Sequence, residues 1–230
     1  MQSHQATGLV LILGALAMLS GIFAHHHGPH GGLTQGQHLV VAVIVVSSFV
    51  ITGVGLLRLL RSSPPHLTND FAAIVLALTG VCGPLAAVTG HVGLPRFMHL
   101  QDEANEAEHA VVDLLISHDA ALVATITQTM FATWAIGVLC LSISMLRSGL
   151  VWKIIGACGI ALGLVFLVAL ALGKLNMHLH DIGLAVLASG IWLIAIGSAL
   201  CANKSPSQVL RGGARGGADL ESQNFVSRNE

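Results

Sequence analysis

The stretch IGLAVLASGIWLIAIGSALCA, residues 182–202, runs for 21 residues without a charge. An α-helix needs about 20 such residues to cross the hydrocarbon core of a bilayer. Only 9% of the chain is charged and 54% is hydrophobic, and five more stretches have the same apolar character. The sequence therefore predicts an all-α integral membrane protein with six transmembrane helices. The predicted spans are 8–24, 39–57, 71–90, 120–146, 150–173 and 182–202.

Basic residues give these spans a direction. Lys and Arg collect in the cytoplasmic loops of membrane proteins, and eight of the ten here fall on one side of the predicted spans. Because two of the connections on the other side are short, neighbouring helices should run antiparallel. We therefore predict an antiparallel bundle with cytoplasmic N and C termini, whose outer loops are 25–38, 91–119 and 174–181.

Histidine is concentrated on the outer side. The outer loops hold 11 of the 13 histidines and seven of the eleven acidic residues. Since the loops were assigned from Lys and Arg alone, this segregation is an independent observation. Histidine is the commonest metal ligand in proteins, so the pattern predicts metal chemistry on the outer face. The 11 residues are His25, His26, His27, His30, His38, His91, His99, His109, His118, His178 and His180.

The chain divides into a membrane domain, residues 1–203, and a polar cytoplasmic tail, residues 204–230. A net charge of −1 gives no reason to expect a nucleic-acid partner. The expected partners are the lipid bilayer and other membrane subunits or further copies of the chain. The expected location is a bacterial inner (plasma) membrane. The four cysteines stand singly within spans and predict no disulfide.

The outer segment after Pro95 has helical periodicity that leads into span four, so span four either extends outward as one long helix or follows an amphipathic outer-face helix around residues 100–117. Within it, Glu106-x2-His109-x3-Asp113 places two carboxylates and an imidazole on one stripe. Glu-x-x-His is the spacing used in carboxylate-bridged dimetal bundles. The chain has no second Glu-x-x-His, so the three residues are candidate metal ligands without a complete dimetal pattern.

Two Met-His elements accompany this stripe. Met98-His99 follows span three, and Met177-His178-Leu179-His180 precedes span six. Thioether sulfur suits Cu(I) and imidazole suits Cu(II), so the combination favours copper over zinc or iron. The predicted metal ligands are His99, Glu106, His109, Asp113, His178 and His180, with Met98 and Met177 as accessory ligands.

Other histidines suggest two further roles. The tract that contains His25, His26, His27 and His30 resembles a flexible metal-scavenging segment and is predicted as an accessory metal tract. Three residues near the outer ends of spans are candidate axial ligands of a haem: His38, His91 and His118.

The patterns leave several functions open. The first hypothesis is a transition-metal site for metal handling or redox chemistry, and its alternative is a non-catalytic accessory subunit of a larger membrane complex. A haem-b-binding redox subunit is a third hypothesis. No catalytic residue is predicted, and no Asp, Glu, Lys, Arg or His lies in the interior of a span, which argues against a coupled pump. Thr125, Gln128 and Thr129 form a polar stripe in span four, with Thr133 nearby, which predicts hydrogen bonds between helices.

Overall fold

The structure is a computed structural model that describes residues 3–26, 35–62, 67–174 and 179–202. The side chains of residues 3, 25, 26, 35 and 179–181 are outside this description. Within the described residues every regular element is a helix. Six of these helices are long and apolar enough to cross a membrane, which confirms the predicted number of spans.

Five of the six helices are longer than the predicted spans because they continue past the apolar residues at their ends, and the fifth, Leu150–Ala171, is two residues shorter. The third predicted span forms one unbroken helical segment of 37 residues, which includes a short π-helix and α4. The elements are α1 Ser3–His26, α2 Gln35–Ser62, α3 Leu67–Val88, the π-helix Thr89–Gly93, α4 Leu94–Glu103, α5 Glu106–Met145, α6 Leu150–Ala171 and α7 Leu179–Cys201.

The prediction of one amphipathic helix around residues 100–117 is wrong. Residues 94–103 form α4, the chain breaks at Ala104 and Asn105, and span four begins as far out as Glu106. The break occurs because Asn105 caps α5. Its side chain accepts hydrogen bonds from the amides of Ala107 and Glu108, while the Glu108 carboxylate accepts one from the Asn105 amide. This reciprocal capping box is readable in the sequence as Asn-x-x-Glu.

Replacing Asn105 with alanine is expected to loosen the first turn of α5. The lost cap should cost about 1 kcal/mol, because amide donors at a helix start have no partner inside the helix. Hydrogen exchange at Ala107 and Glu108 should then be about fivefold faster. Asn105→Asp keeps the acceptor and should exchange like the original chain. Equal exchange rates in Asn105→Ala and the original chain would contradict the assigned cap.

Glycines set the close contacts between the helices. A Cβ on Gly8 of α1 would stand 2.5 Å from the carbonyl oxygen of Gly197 in α7, so the two backbones touch. On the α2 side of α1, Gly14 faces Thr52 and Gly21 faces Val45. Small residues bring membrane helices together in this way, since lipid offers no hydrophobic force to do so.

Large side chains fill the centre of the bundle. Its main cluster joins residues of α1, α2, α3, α5, α6 and α7. Trp192 of α7 donates a hydrogen bond from Nε1 to the carbonyl oxygen of Ile155 in α6 at 3.0 Å. Members that are at most 2% exposed include Leu11, Leu56, Leu59, Leu141, Trp152, Leu193, Ile196 and Leu200.

Candidate functional site

The predicted carboxylate and histidine stripe lies at the start of α5 and faces away from the bundle. Glu106, His109 and Asp113 are all exposed. Asp113 accepts a hydrogen bond through Oδ1 from Nε2 of Gln101 at 2.6 Å, which ties α4 to α5 across the break. The three residues share one helix, as predicted, but in the described structure Asp113 holds the two helices together.

The first Met-His element lies on the surface of α4. His99 Nδ1 lies 3.5 Å from Glu103 Oε1, and both side chains are about two-thirds exposed. An exposed pair of this kind contributes little to stability. Met98 is 54% exposed and does not enter the core. His99 and its neighbours therefore form a solvated surface in the described structure.

Within residues 3–26, 35–62, 67–174 and 179–202, no three His, Cys, Asp or Glu side chains come together to hold a metal ion. The predicted set of six ligands is thus not assembled from its described members. Part of that set is beyond this test, because His178 and Met177 lie outside the described residues and the His180 side chain is not described. The same holds for His27 and His30, and for the side chains of His25 and His26.

The structure does bring together two of the three residues proposed as haem ligands. His38, near the start of α2, and His91, in the π-helix, have ring centres 6.2 Å apart and ring planes inclined by 37°. Both residues are half-buried. His118 is exposed on α5. The convergence of His38 and His91 joins residues that are 53 positions apart in the chain.

Pro95 explains why His91 lies in a π-helix. A proline inside a helix cannot donate to the carbonyl four residues earlier, and its ring collides with that carbonyl. For Pro95 that carbonyl belongs to His91. The wider turn relieves the clash, and the amide of Leu94 donates to the carbonyl oxygen of Thr89, five residues earlier. Single π-turns of this kind are frequent at functional sites.

Two buried polar atoms on either side of the π-helix lack a hydrogen-bond partner among the described residues. They are Nδ1 of His38, on α2, and Oδ2 of Asp119, on α5. Asp119 reaches the π-helix because Gly93 has no side chain, and a Cβ on Gly93 would lie 3.4 Å from Asp119 Oδ2. We call His38, His91 and Asp119 the π-helix site.

The π-helix site offers imidazole nitrogen and carboxylate oxygen, a ligand chemistry that suits Cu(II), Zn(II), Ni(II) or Fe(II). The sequence indicated His38 and His91 as outer-face histidines and as candidate haem ligands, and it gave Asp119 no ligand role. The signal that could have found the site is Gly90-His91-Val92-Gly93 followed by Pro95. Glycine beside a helix-distorting proline predicts close approach of other chain segments.

The polar stripe of span four divides into two groups. Thr133 is buried, and Thr79 of α3 donates a hydrogen bond to it at 2.9 Å, as the prediction of interhelical bonding required. Thr125 and Thr129 are exposed and donate to carbonyls of their own helix. Gln128 is exposed and faces away from the bundle.

A small apolar cavity lies between five of the helices. Its volume is about 40 Å³, which is room for a few water molecules and for no organic substrate. Three hydroxyl residues, Thr52, Thr79 and Ser189, belong to its wall, and Ser189 accepts a hydrogen bond from Nε1 of Trp134 at 3.0 Å. The cavity therefore belongs to the packing of the bundle and does not serve as a substrate pocket.

The chain matches no protein family model, no curated protein and no solved structure. No relative's activity can be carried over to it. The candidate function therefore rests on the chemistry of the π-helix site.

Proposed function

We propose that this membrane protein binds one transition-metal ion, copper in preference to zinc or iron, at the π-helix site on its outer face. The observation that carries the proposal is the 6.2 Å separation of the His38 and His91 rings. Metal–nitrogen bonds of about 2.0–2.1 Å put the ring centres of two histidines on one ion roughly 5–6 Å apart. The observed separation lies just beyond this range.

The buried atoms without partners support the same assignment. Buried polar atoms are almost always satisfied, and an exception points to an absent water or ion. Nδ1 of His38 and Oδ2 of Asp119 are two such atoms, and they flank the π-helix that carries His91. Asp119 would act through a water bound to the metal, since it is not grouped with the two histidines. Ordered carboxylates of this kind orient ligands and raise metal affinity.

Two arguments favour copper: the order of affinities among divalent transition metals, and the other candidate copper ligands of the chain. Divalent copper binds nitrogen and oxygen ligands more tightly than its neighbours in the first transition row. The exposed residues of the first Met-His element, together with His109, would provide weaker surface sites that pass the ion inward. The tract at residues 25–30 would serve as the accessory reservoir. The protein would thus act in metal handling on the outer face.

Haem is the less favoured cofactor for the same two histidines. A flat macrocycle would have to enter between α2 and the π-helix, which are already in contact. His118 cannot replace either residue without a large movement, because it is exposed on α5. A single ion requires no such separation of helices.

The outer location depends on the orientation of the bundle. Successive contacts of α1 are Leu11 with Gly55, Gly14 with Thr52, and Gly21 with Val45, so the numbers rise in α1 and fall in α2. This order supports the antiparallel arrangement that we propose. The distribution of Lys and Arg then places the π-helix site outside and the termini in the cytoplasm.

Elemental analysis of the purified protein in lipid discs tests the proposal. After incubation with Cu(II) and removal of loose metal, we expect about one copper per chain, as a half-buried histidine pair should hold its ion through gentle washing. A variant with asparagine at His25, His26, His27 and His30 is the matched control and should keep that copper. Less than about 0.1 metal per chain after incubation with Cu(II), Zn(II) or Fe(II) would overturn the proposal. If the control variant bound no copper, the copper site would be the tract at residues 25–30 and not the π-helix site.

The accessory-subunit alternative is also supported by one observation. Gln128 presents an amide on the outside of the bundle, within a predicted span. Such a group favours association with another helix in the membrane. Metal binding and association are compatible.

A further inference from the structure

The distances of Gln128 from the nearest charged residues before and after it in the chain indicate that it lies inside the membrane. At 1.5 Å per residue it is about 13–14 Å along the helix from Asp119 and about 28 Å from Arg147. These two charges are about 42 Å apart, close to the full thickness of a bilayer with its headgroups. With a hydrocarbon core of about 30 Å centred between them, Gln128 lies several ångströms within the hydrocarbon.

An exposed glutamine side chain at this depth is energetically unfavourable, because its amide has no hydrogen-bond partner in lipid. Its amide has two donor hydrogens and an acceptor oxygen, and it has no side-chain hydrogen bond to any residue that the structure describes. Water is absent from the hydrocarbon and cannot satisfy these groups. The neighbouring threonines avoid this cost, because Thr125 donates to Ala121 O and Thr129 donates to Thr125 O, each at 2.9 Å.

The surface around Gln128 carries a row of small side chains, which lets another helix pack closely against it. Ala121, Thr125 and Thr129 follow one another at intervals of four residues, so they lie in a row along one face of α5. All three are exposed. Small side chains at this spacing let a second helix come close enough for a hydrogen bond from Gln128.

We propose that a second copy of this chain packs its α5 against this face, with the two Gln128 amides hydrogen-bonded to each other. A two-fold axis places the same residue of each copy opposite itself. A primary amide is self-complementary there, because each copy donates one hydrogen and accepts one. The row carries no charge that would require an oppositely charged partner. The inference does not depend on metal binding.

Single-molecule photobleaching of labelled protein, diluted stepwise in lipid vesicles, measures the association. We expect two-step bleaching for the original chain and a dissociation constant about 8- to 30-fold higher for Gln128→Leu, which removes both of the hydrogen bonds between the two amides. Ala161→Leu is the matched control, because Ala161 is exposed on a different membrane helix, α6, and its substitution should leave the constant unchanged. At a dilution where both proteins are monomeric, thermal unfolding of Gln128→Leu should match that of the original chain, since the monomer makes no described contact with this side chain.

Four results would overturn the proposal. The first is a monomeric original chain at every dilution, and the second is a dissociation constant for Gln128→Leu equal to that of the original chain. The third is an equal loss of association in Ala161→Leu, which would place the interface elsewhere. The fourth is a different polypeptide that binds in a one-to-one ratio and is released by Gln128→Leu, which would make the partner another subunit.

Discussion

Replacing His38 with alanine is expected to lower the affinity for copper by more than about 100-fold. Loss of a group that only orients a ligand costs 10- to 100-fold, so loss of a ligand should cost more. His91→Ala should have a similar effect. Because the two imidazoles would bind the same ion, the double variant should be little worse than either single variant. Asp119→Asn should cost about 10-fold, in line with its proposed role through water.

The copper dissociation constants of these variants are measured by competition with a chelator of known affinity, and the copper absorption spectrum reports the bound fraction. His109→Ala is the matched control, because His109 is exposed and stands on the outer part of α5, the helix that carries Asp119. Its copper affinity should stay within about threefold of the original, as expected of a surface site. If His109→Ala and His99→Ala lose copper while His38→Ala keeps it, the ligands are the surface residues and the π-helix site is wrong.

Alanine at Gly8 or Gly197 is expected to destabilise the bundle, while alanine at Gly80 or Gly53 is not. A Cβ at Gly8 would meet the carbonyl oxygen of Gly197 at 2.5 Å, and one at Gly197 would meet the carbonyl oxygen of Gly8 at 2.7 Å. A backbone carbonyl cannot relieve this clash by changing rotamer, as a side chain can, so α1 and α7 must move apart. Overpacking of this kind costs about 1–3 kcal/mol.

Gly80 and Gly53 provide controls with the same substitution, since a Cβ at either would find no atom within 4 Å. There the gain in helix propensity, about 0.5–1 kcal/mol, should leave stability unchanged or slightly higher. Reversible unfolding in bicelles measures the four free energies. The packing of α1 on α7 would be contradicted if Gly8→Ala and Gly80→Ala changed the free energy of unfolding by the same amount.

The number of spans could be read from the sequence because length and apolarity alone decide it. The boundaries could not, because helices continue beyond the lipid as long as caps and periodicity allow. Asn105 shows this directly: its capping box starts α5 at Glu106, 14 residues before the predicted span four, and divides the predicted outer helix. Pro95 had the opposite effect, since it widened one turn and left the helix unbroken.

The candidate site was harder to predict for a geometric reason. Helical spacing correctly placed Glu106 and His109 on one helix, but it carries no information on whether their face meets the bundle or the solvent. The pairing of His38 with His91 depends on which helices become neighbours, and no local pattern encodes that. In the same way, the polar stripe of span four did not reveal that Thr133 turns inward while Gln128 turns outward.

The π-helix determines how this segment would respond to the loss of a single codon. A π-turn contains one residue more than the α-helical turn it replaces. Deleting one residue between Thr89 and Gly93 would therefore leave an α-helical turn of nearly the same total rotation, and α4 would keep its orientation about the axis of α3. The cost would fall on the turn itself, because the ring of Pro95 would again meet the carbonyl four residues earlier. A deletion in the regular part of α3 would instead turn every later residue up to Asn105 by about 100° about the helix axis.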